Sequence, residues 1–194
     1  LTGDCFMQKP FWKIKKNNHL KNDLFNIISA CSKLKIKYVI VPLVDQSSLK
    51  NKKEEKRLIA QFKKITPFIK KCKVEILFES DYEPYKLKKF IENFDKRLFG
   101  INYDTGNSAS LGYNIDNEFK IYGKYIKNIH IKDRLYKGKT IRLGEGNVNF
   151  KKLFKNINKI NYKSLLVLQT ARSTNDKHIE EIKINKRFLI NLLN

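Results

Sequence analysis

The chain predicts an α/β fold built on a parallel sheet, and two observations carry that prediction. Short apolar runs alternate with longer amphipathic segments over all 194 residues, and nearly every apolar run gives way to a cluster of polar side chains. Parallel strands covered by helices on both faces read as short continuous apolar stretches, whereas the covering helices show a 3.6-residue period.

The elements follow in order. The run LTGDCF at 1–6 reads as the end of a strand, and YVIVPL (38–43), KVEILF (73–78), LFGINY (98–103), IKNIHI (126–131) and SLLVL (164–168) read as complete strands. Helical patterns fall between and after them at 20–34, 52–71, 84–93, 116–122, 150–160 and 177–193. The repeating unit is βα, six times over, which implies right-handed crossovers and a parallel sheet. No long Pro-, Gly- or Ser-rich linker interrupts the series, so residues 1–194 are expected to form a single domain.

An open dinucleotide-binding sheet should carry GxGxxG after its first strand, and none is present. Polar residues instead follow strand after strand: Asp4; Asp45 to Ser48; Glu79 and Asp81; Asp104 and Asn107; His130, Lys132 and Asp133; Gln169 and Arg172. Sites assembled from many strand ends on one face are the mark of a (β/α) barrel. Eight units close such a barrel, so two further βα units are expected upstream of Leu1.

Composition narrows the function classes. The formal charge is +22, yet only six of the 41 basic residues are Arg, and the Lys residues are spread along the whole chain. Phosphate and base recognition favours the planar Arg fork, whereas Lys suits solvated helix faces, so nucleic acid is not the expected partner. No run approaches the ~20 apolar residues of a membrane span. Three cysteines without a CxxC pair, Cys5, Cys31 and Cys72, fit a reducing cytoplasmic compartment.

Motif order then points to a family. YDTGNSASLGY at 103–113, IHIKDR at 129–134, LGEG at 143–146 and LQTAR at 168–172, with GDCFM at 3–7 and VPLVDQSS at 41–48 upstream, resemble the sugar phosphate isomerase/epimerase group of the xylose isomerase-like TIM barrels. The resemblance covers nearly the whole chain. It implies a metal held by one ligand from each of four strand ends, which fall here on Glu79, Asp104, His130 and Gln169. Gln169 departs from the carboxylate usual at the fourth position.

The implied chemistry is proton transfer beside a carbonyl through an enediolate. A divalent cation acts as Lewis acid on the developing charge, and a carboxylate moves the proton. Oxygen ligands with one imidazole suit Mn²⁺ or Mg²⁺, with Zn²⁺ or Co²⁺ as further options. Glu79 is the expected ligand and base, and Gln169 the second catalytic position. Gln169 can ligate through its carbonyl but cannot accept a proton at neutral pH, which favours one-base isomerisation over two-base epimerisation.

Arg134, Arg142 and Arg172 follow the last two strands, where barrels commonly bind phosphate, and Lys132 lies on the same side. With Asn107 and Glu145 they form the expected substrate-binding set for a sugar or sugar phosphate. Ion pairing with Asp133 or Glu145 is the structural alternative for the arginines. A homo-oligomer is compatible with the sequence. Two other functions bear comparison: a non-catalytic sugar-binding relative of the barrel, and an endonuclease-type DNA repair barrel. The second needs many His ligands, and only three His are present.

Overall fold

The computed structural model describes residues 1–13, 18–173 and 175–193. In chain order the elements are α1 (Cys5–Gln8), α2 (Asn18–Lys33), β1 (Tyr38–Leu43), α3 (Lys52–Cys72), β2 (Glu75–Ser80), α4 (Pro84–Ile91), β3 (Phe99–Asp104), α5 (Thr105–Leu111), α6 (Ile115–Tyr122), β4 (Ile126–Ile131), β5 (Asp133–Arg134), β6 (Thr140–Ile141), α7 (Phe150–Lys159), β7 (Leu166–Leu168) and α8 (His178–Leu193). The main sheet has five strands in the order β1-β2-β3-β4-β7. β1 pairs with β2, β2 with β3 and β4 with β7, all parallel. A small antiparallel pair, β5 and β6, forms a second sheet. Among the described residues no helix is long and apolar enough to cross a membrane.

Two expected strands shift for identifiable reasons. Residues 1–6 do not form a full strand: Thr2 makes an isolated parallel bridge to Ile40, and the chain then turns into α1 as Phe6 N–H donates to the Gly3 carbonyl. The strand expected at 73–78 begins two residues later, because Lys73 caps α3 in the left-handed conformation (φ 55°) and cannot also be extended. Helix α5 occupies what reads in sequence as a polar motif, its small residues TGNSASL giving no amphipathic signal.

Backbone contacts divide the chain into two compact units, one of residues 1–82 and 86–102, the other of residues 83–85 and 103–194. The first is built on aromatic packing. Phe78, fully buried on β2, meets Phe62 edge-on at 5.2 Å and Phe90 at 5.1 Å, and lies 5.2 Å from Phe94. Phe11 and Trp12, in the segment after α1, are buried, with Phe11 6.0 Å from Phe62.

The second unit has a polar knot. Glu118, 2% exposed, accepts hydrogen bonds from the Tyr103 hydroxyl (2.9 Å), the Ser108 hydroxyl (2.5 Å) and the Tyr122 hydroxyl (2.6 Å). Three hydroxyl donors answer the cost of burying a carboxylate but do not cancel it. Burial raises the Glu118 carboxyl above its ordinary value of 4.5, and burial likewise pushes the Tyr103 and Tyr122 phenols up.

Two outcomes follow. Phe78→Ala should cost about 3–5 kcal/mol in urea unfolding, as a truncated buried aromatic leaves a cavity among rings. For Glu118, the folded chain holds its proton to higher pH than the unfolded chain, so the stability this group contributes is present below its ordinary value and lost as pH rises through the raised one. The stability of the parent relative to Glu118→Gln should therefore fall in paired urea titrations as pH rises above the ordinary value of 4.5 and through the raised one.

Candidate metal and substrate site

The buried polar residues at the ends of β2, β3 and β4 are unlike the apolar residues behind them. In the first unit, Glu79 stands one residue before the end of β2 and is 7% exposed. The β2–β3 register aligns Phe78 with Ile101, so the next step brings Glu79 beside Asn102, whose Nδ2 donates to Glu79 Oε2 at 2.7 Å. That bond fixes the orientation of the carboxylate.

In the second unit, Asp104 ends β3 and is the N-cap of α5, its Oδ1 accepting from the Asn107 N–H at 2.8 Å. A carboxylate at a helix N-terminus satisfies an otherwise orphaned amide and meets the positive end of the helix dipole. Its Oδ2 pairs with Lys132 Nζ at 2.9 Å, with the Asp104 side chain only 1% exposed. His130 stands one residue before the end of β4, buried, in register with Val167 of β7. Gln169, just beyond β7, extends that ladder by donating its N–H to the Ile131 carbonyl at 2.9 Å, and it is exposed.

The expected substrate-binding residues separate into two groups. Arg134 Nη1 donates to Asn107 Oδ1 at 2.9 Å, while its Nε and Nη2 both donate to the Gly138 carbonyl. Arg134 thus closes its own hairpin and reaches Asn107 as well. Arg142 donates to Glu181 through Nε at 2.7 Å and Nη2 at 2.9 Å, with Glu145 at 3.4 Å. These partners raise the Arg142 guanidinium above its ordinary value, and Arg142 in turn holds the Glu181 carboxyl below its own. For Arg142 and Glu145 the structure has the surface ion pairing that the sequence left as the alternative to anion binding. Arg172 lines a cleft of about 430 Å³ with Arg142, Glu145, Lys139 and Lys177. Of the polar residues at other strand ends, Asp4 and Asp45 are exposed, and Asp81 accepts from the Ser48 hydroxyl at 2.6 Å.

Asp133, offered by the sequence only as an alternative ion-pair partner for the arginines, has a structural role that sequence reasoning missed. It is fully buried, and its carboxylate accepts from the backbone N–H groups of Gly144 (2.9 Å), Gly146 (3.0 Å) and Val148 (3.1 Å). This explains LGEG in atomic terms. Gly144 adopts φ +89°, and a Cβ on Gly146 would collide with the Asp133 carboxylate. Two glycines spaced by one residue after a strand-end Asp were the available signal.

Comparisons with known proteins bear on the fold. The family model described as xylose isomerase-like TIM barrel matches residues 15–192. No protein of curated function matches the chain. Among solved structures, a xylose isomerase domain protein from Planctomyces limnophilus is similar at 17% identity and a TM-score of 0.74, over 88% of this chain and 64% of that one. The IOLI protein, with a binding zinc atom, is similar at 16% and 0.76, over 91% and 72%. A sugar phosphate isomerase/epimerase from Parabacteroides distasonis is similar at 14% and 0.70, over 91% and 66%. The chain thus spans about two thirds of the length of these proteins, and at such identities the likeness is one of fold.

Removing the Asp133 acceptor leaves three backbone donors unanswered in a buried loop. Asp133→Ala should destabilise the protein by about 3 kcal/mol and speed amide exchange at Gly144, Gly146 and Val148, read by hydrogen exchange.

Proposed function

The chain belongs to the xylose isomerase-like TIM barrel family, and we propose that within it the chain is a divalent-metal-dependent isomerase of a sugar or sugar phosphate, with Glu79, Asp104 and His130 as metal ligands and Glu79 as the base. The observation that carries this reading is the donor set. Two carboxylates and one imidazole, all buried, stand at or one residue before the ends of β2, β3 and β4, and oxygen and imidazole donors of this kind suit a divalent cation. The zinc in the IOLI relative and the isomerase/epimerase in P. distasonis support the same reading.

Mixed oxygen and nitrogen donors fit Mn²⁺ or Zn²⁺, with Mg²⁺ and Co²⁺ also within range. When bound, the cation supplies Lewis acidity to a substrate carbonyl. The residues of the chain do the rest. Glu79, held by Asn102, takes the proton from the carbon beside the carbonyl and returns it to the neighbouring carbon. Gln169 carries no proton-accepting group, so a second base on the opposite face is lacking at that position and the reaction is one-base isomerisation. Asn107, Lys132 and Arg134 supply the polar side chains next to this set that would contact hydroxyl or phosphate oxygens.

The direct test is exchange of solvent deuterium into a panel of ketoses and their phosphates in the presence of Mn²⁺ or Zn²⁺. The parent should incorporate deuterium at the carbon beside the carbonyl, and Glu79→Gln should lose at least a factor of 100 in that rate, the contribution expected of a positioned base. Exchange that persists unchanged in Glu79→Gln would remove Glu79 from the role of base. Sugar binding without exchange in the parent would favour a binding protein.

A further inference from the structure

Lys132 is anchored in a way the surface lysines are not. Its backbone N–H donates to Thr105 Oγ1 at 2.9 Å, and the same hydroxyl donates to the Lys132 carbonyl at 2.5 Å. Its stem lies across Gly106, where a Cβ would come within 2.7 Å of Lys132 Cγ and 2.9 Å of Cδ. At the far end Nζ meets Asp104 Oδ2 at 2.9 Å, with 15% of the Lys132 side chain exposed. The other carboxylate oxygen, Oδ1, is taken by the Asn107 amide. Both oxygens of Asp104 are therefore engaged, one by a helix amide and one by a mobile-stemmed ammonium.

We propose that Lys132 is a built-in counter-ion of Asp104, so that a divalent cation reaches this carboxylate by displacing the Lys132 ammonium from Oδ2. The proposal rests on the metal reading given above and adds to it a residue that sets the affinity. The chemistry is a competition between two cations for one oxygen. Lys carries a compact point charge on a flexible four-carbon stem, so it can neutralise a buried carboxylate and also swing away. A buried carboxylate left alone is costly, and a permanently bound partner would block the site. The Gly106 surface explains why the ammonium reaches Asp104 at all: any larger residue in the first turn of α5 would lift the stem away from it. The Thr105 clamp fixes the point from which the stem starts. Once displaced, the tethered ammonium remains beside the cation, so its charge weakens metal binding in the occupied state as well. Both effects have the same sign.

The test is calorimetric titration of EDTA-treated protein with MnCl₂, comparing the parent with Lys132→Met, Lys132→Gln, Gly106→Ala and His130→Ala. Both Lys132 variants should bind Mn²⁺ about tenfold more tightly than the parent, since they lose the competitor and the residual repulsion. Gly106→Ala, which keeps the charge but displaces the stem, should shift affinity in the same direction by roughly threefold. Without metal, Lys132→Met should melt below the parent, and the gap should narrow in saturating Mn²⁺. Equal or weaker binding in the Lys132 variants, with binding still abolished by His130→Ala, overturns the counter-ion while leaving the metal site standing. Failure of the parent and every variant to bind overturns both. Should Lys132→Met not fold, Lys132→Gln and Gly106→Ala carry the comparison, and unchanged affinity in both refutes the proposal.

Discussion

The Asp104 carboxylate joins a strand, a helix and a charge. It ends β3, caps α5 through the Asn107 amide and holds the Lys132 ammonium. Each role requires the carboxylate to be buried and oriented, and each supplies part of the reason that it is. The helix cap sets where α5 begins and so where Gly106 lies under the Lys132 stem. A buried anion here would be unfavourable in isolation, and the fold surrounds it with an amide, a helix dipole and a cation rather than leaving it exposed to water.

Two other buried carboxylates serve as connectors of this kind. Asp133 gathers three amides and so shapes the LGEG loop, and Glu118 gathers three hydroxyls beneath β3 and α6. Glu79 is held by a side-chain amide, that of Asn102, where Asp133 is held by three backbone amides of one loop.

The parallel sheet was legible in the sequence because both of its faces are covered: β1, β2, β3 and β4 each read as short apolar runs and appear within two residues of where those runs lie. Strand β7 was legible for its type but shorter than expected, and its Val167 is 38% exposed. The buried polar residues Glu79, Asp104 and His130 stood out because a polar side chain interrupts each run at its end, and their reading as metal ligands came from the family resemblance. What sequence reasoning missed has physical causes. Helix α5 is made of small polar residues with no apolar stripe, so its existence depends on the Asp104 cap and the Gly112 turn (φ 74°) rather than on periodicity. The role of Asp133 depends on amides eleven to fifteen residues away, and backbone donors leave no mark on residue identity beyond the two glycines. Arg142 reads as an anion binder until Glu181, 39 residues on, is brought to it by the fold.

The assignment of Glu79, Asp104 and His130 to one cation is tested most directly by pulsed electron paramagnetic resonance of the protein loaded with a single equivalent of Mn²⁺. One imidazole among oxygen donors predicts nitrogen modulation from a single histidine, present in the parent and absent from His130→Ala, with a changed coordination signal in Glu79→Gln. A Mn²⁺ signal without nitrogen modulation in the parent, or the same modulation in His130→Ala, would place the ion elsewhere and contradict the site.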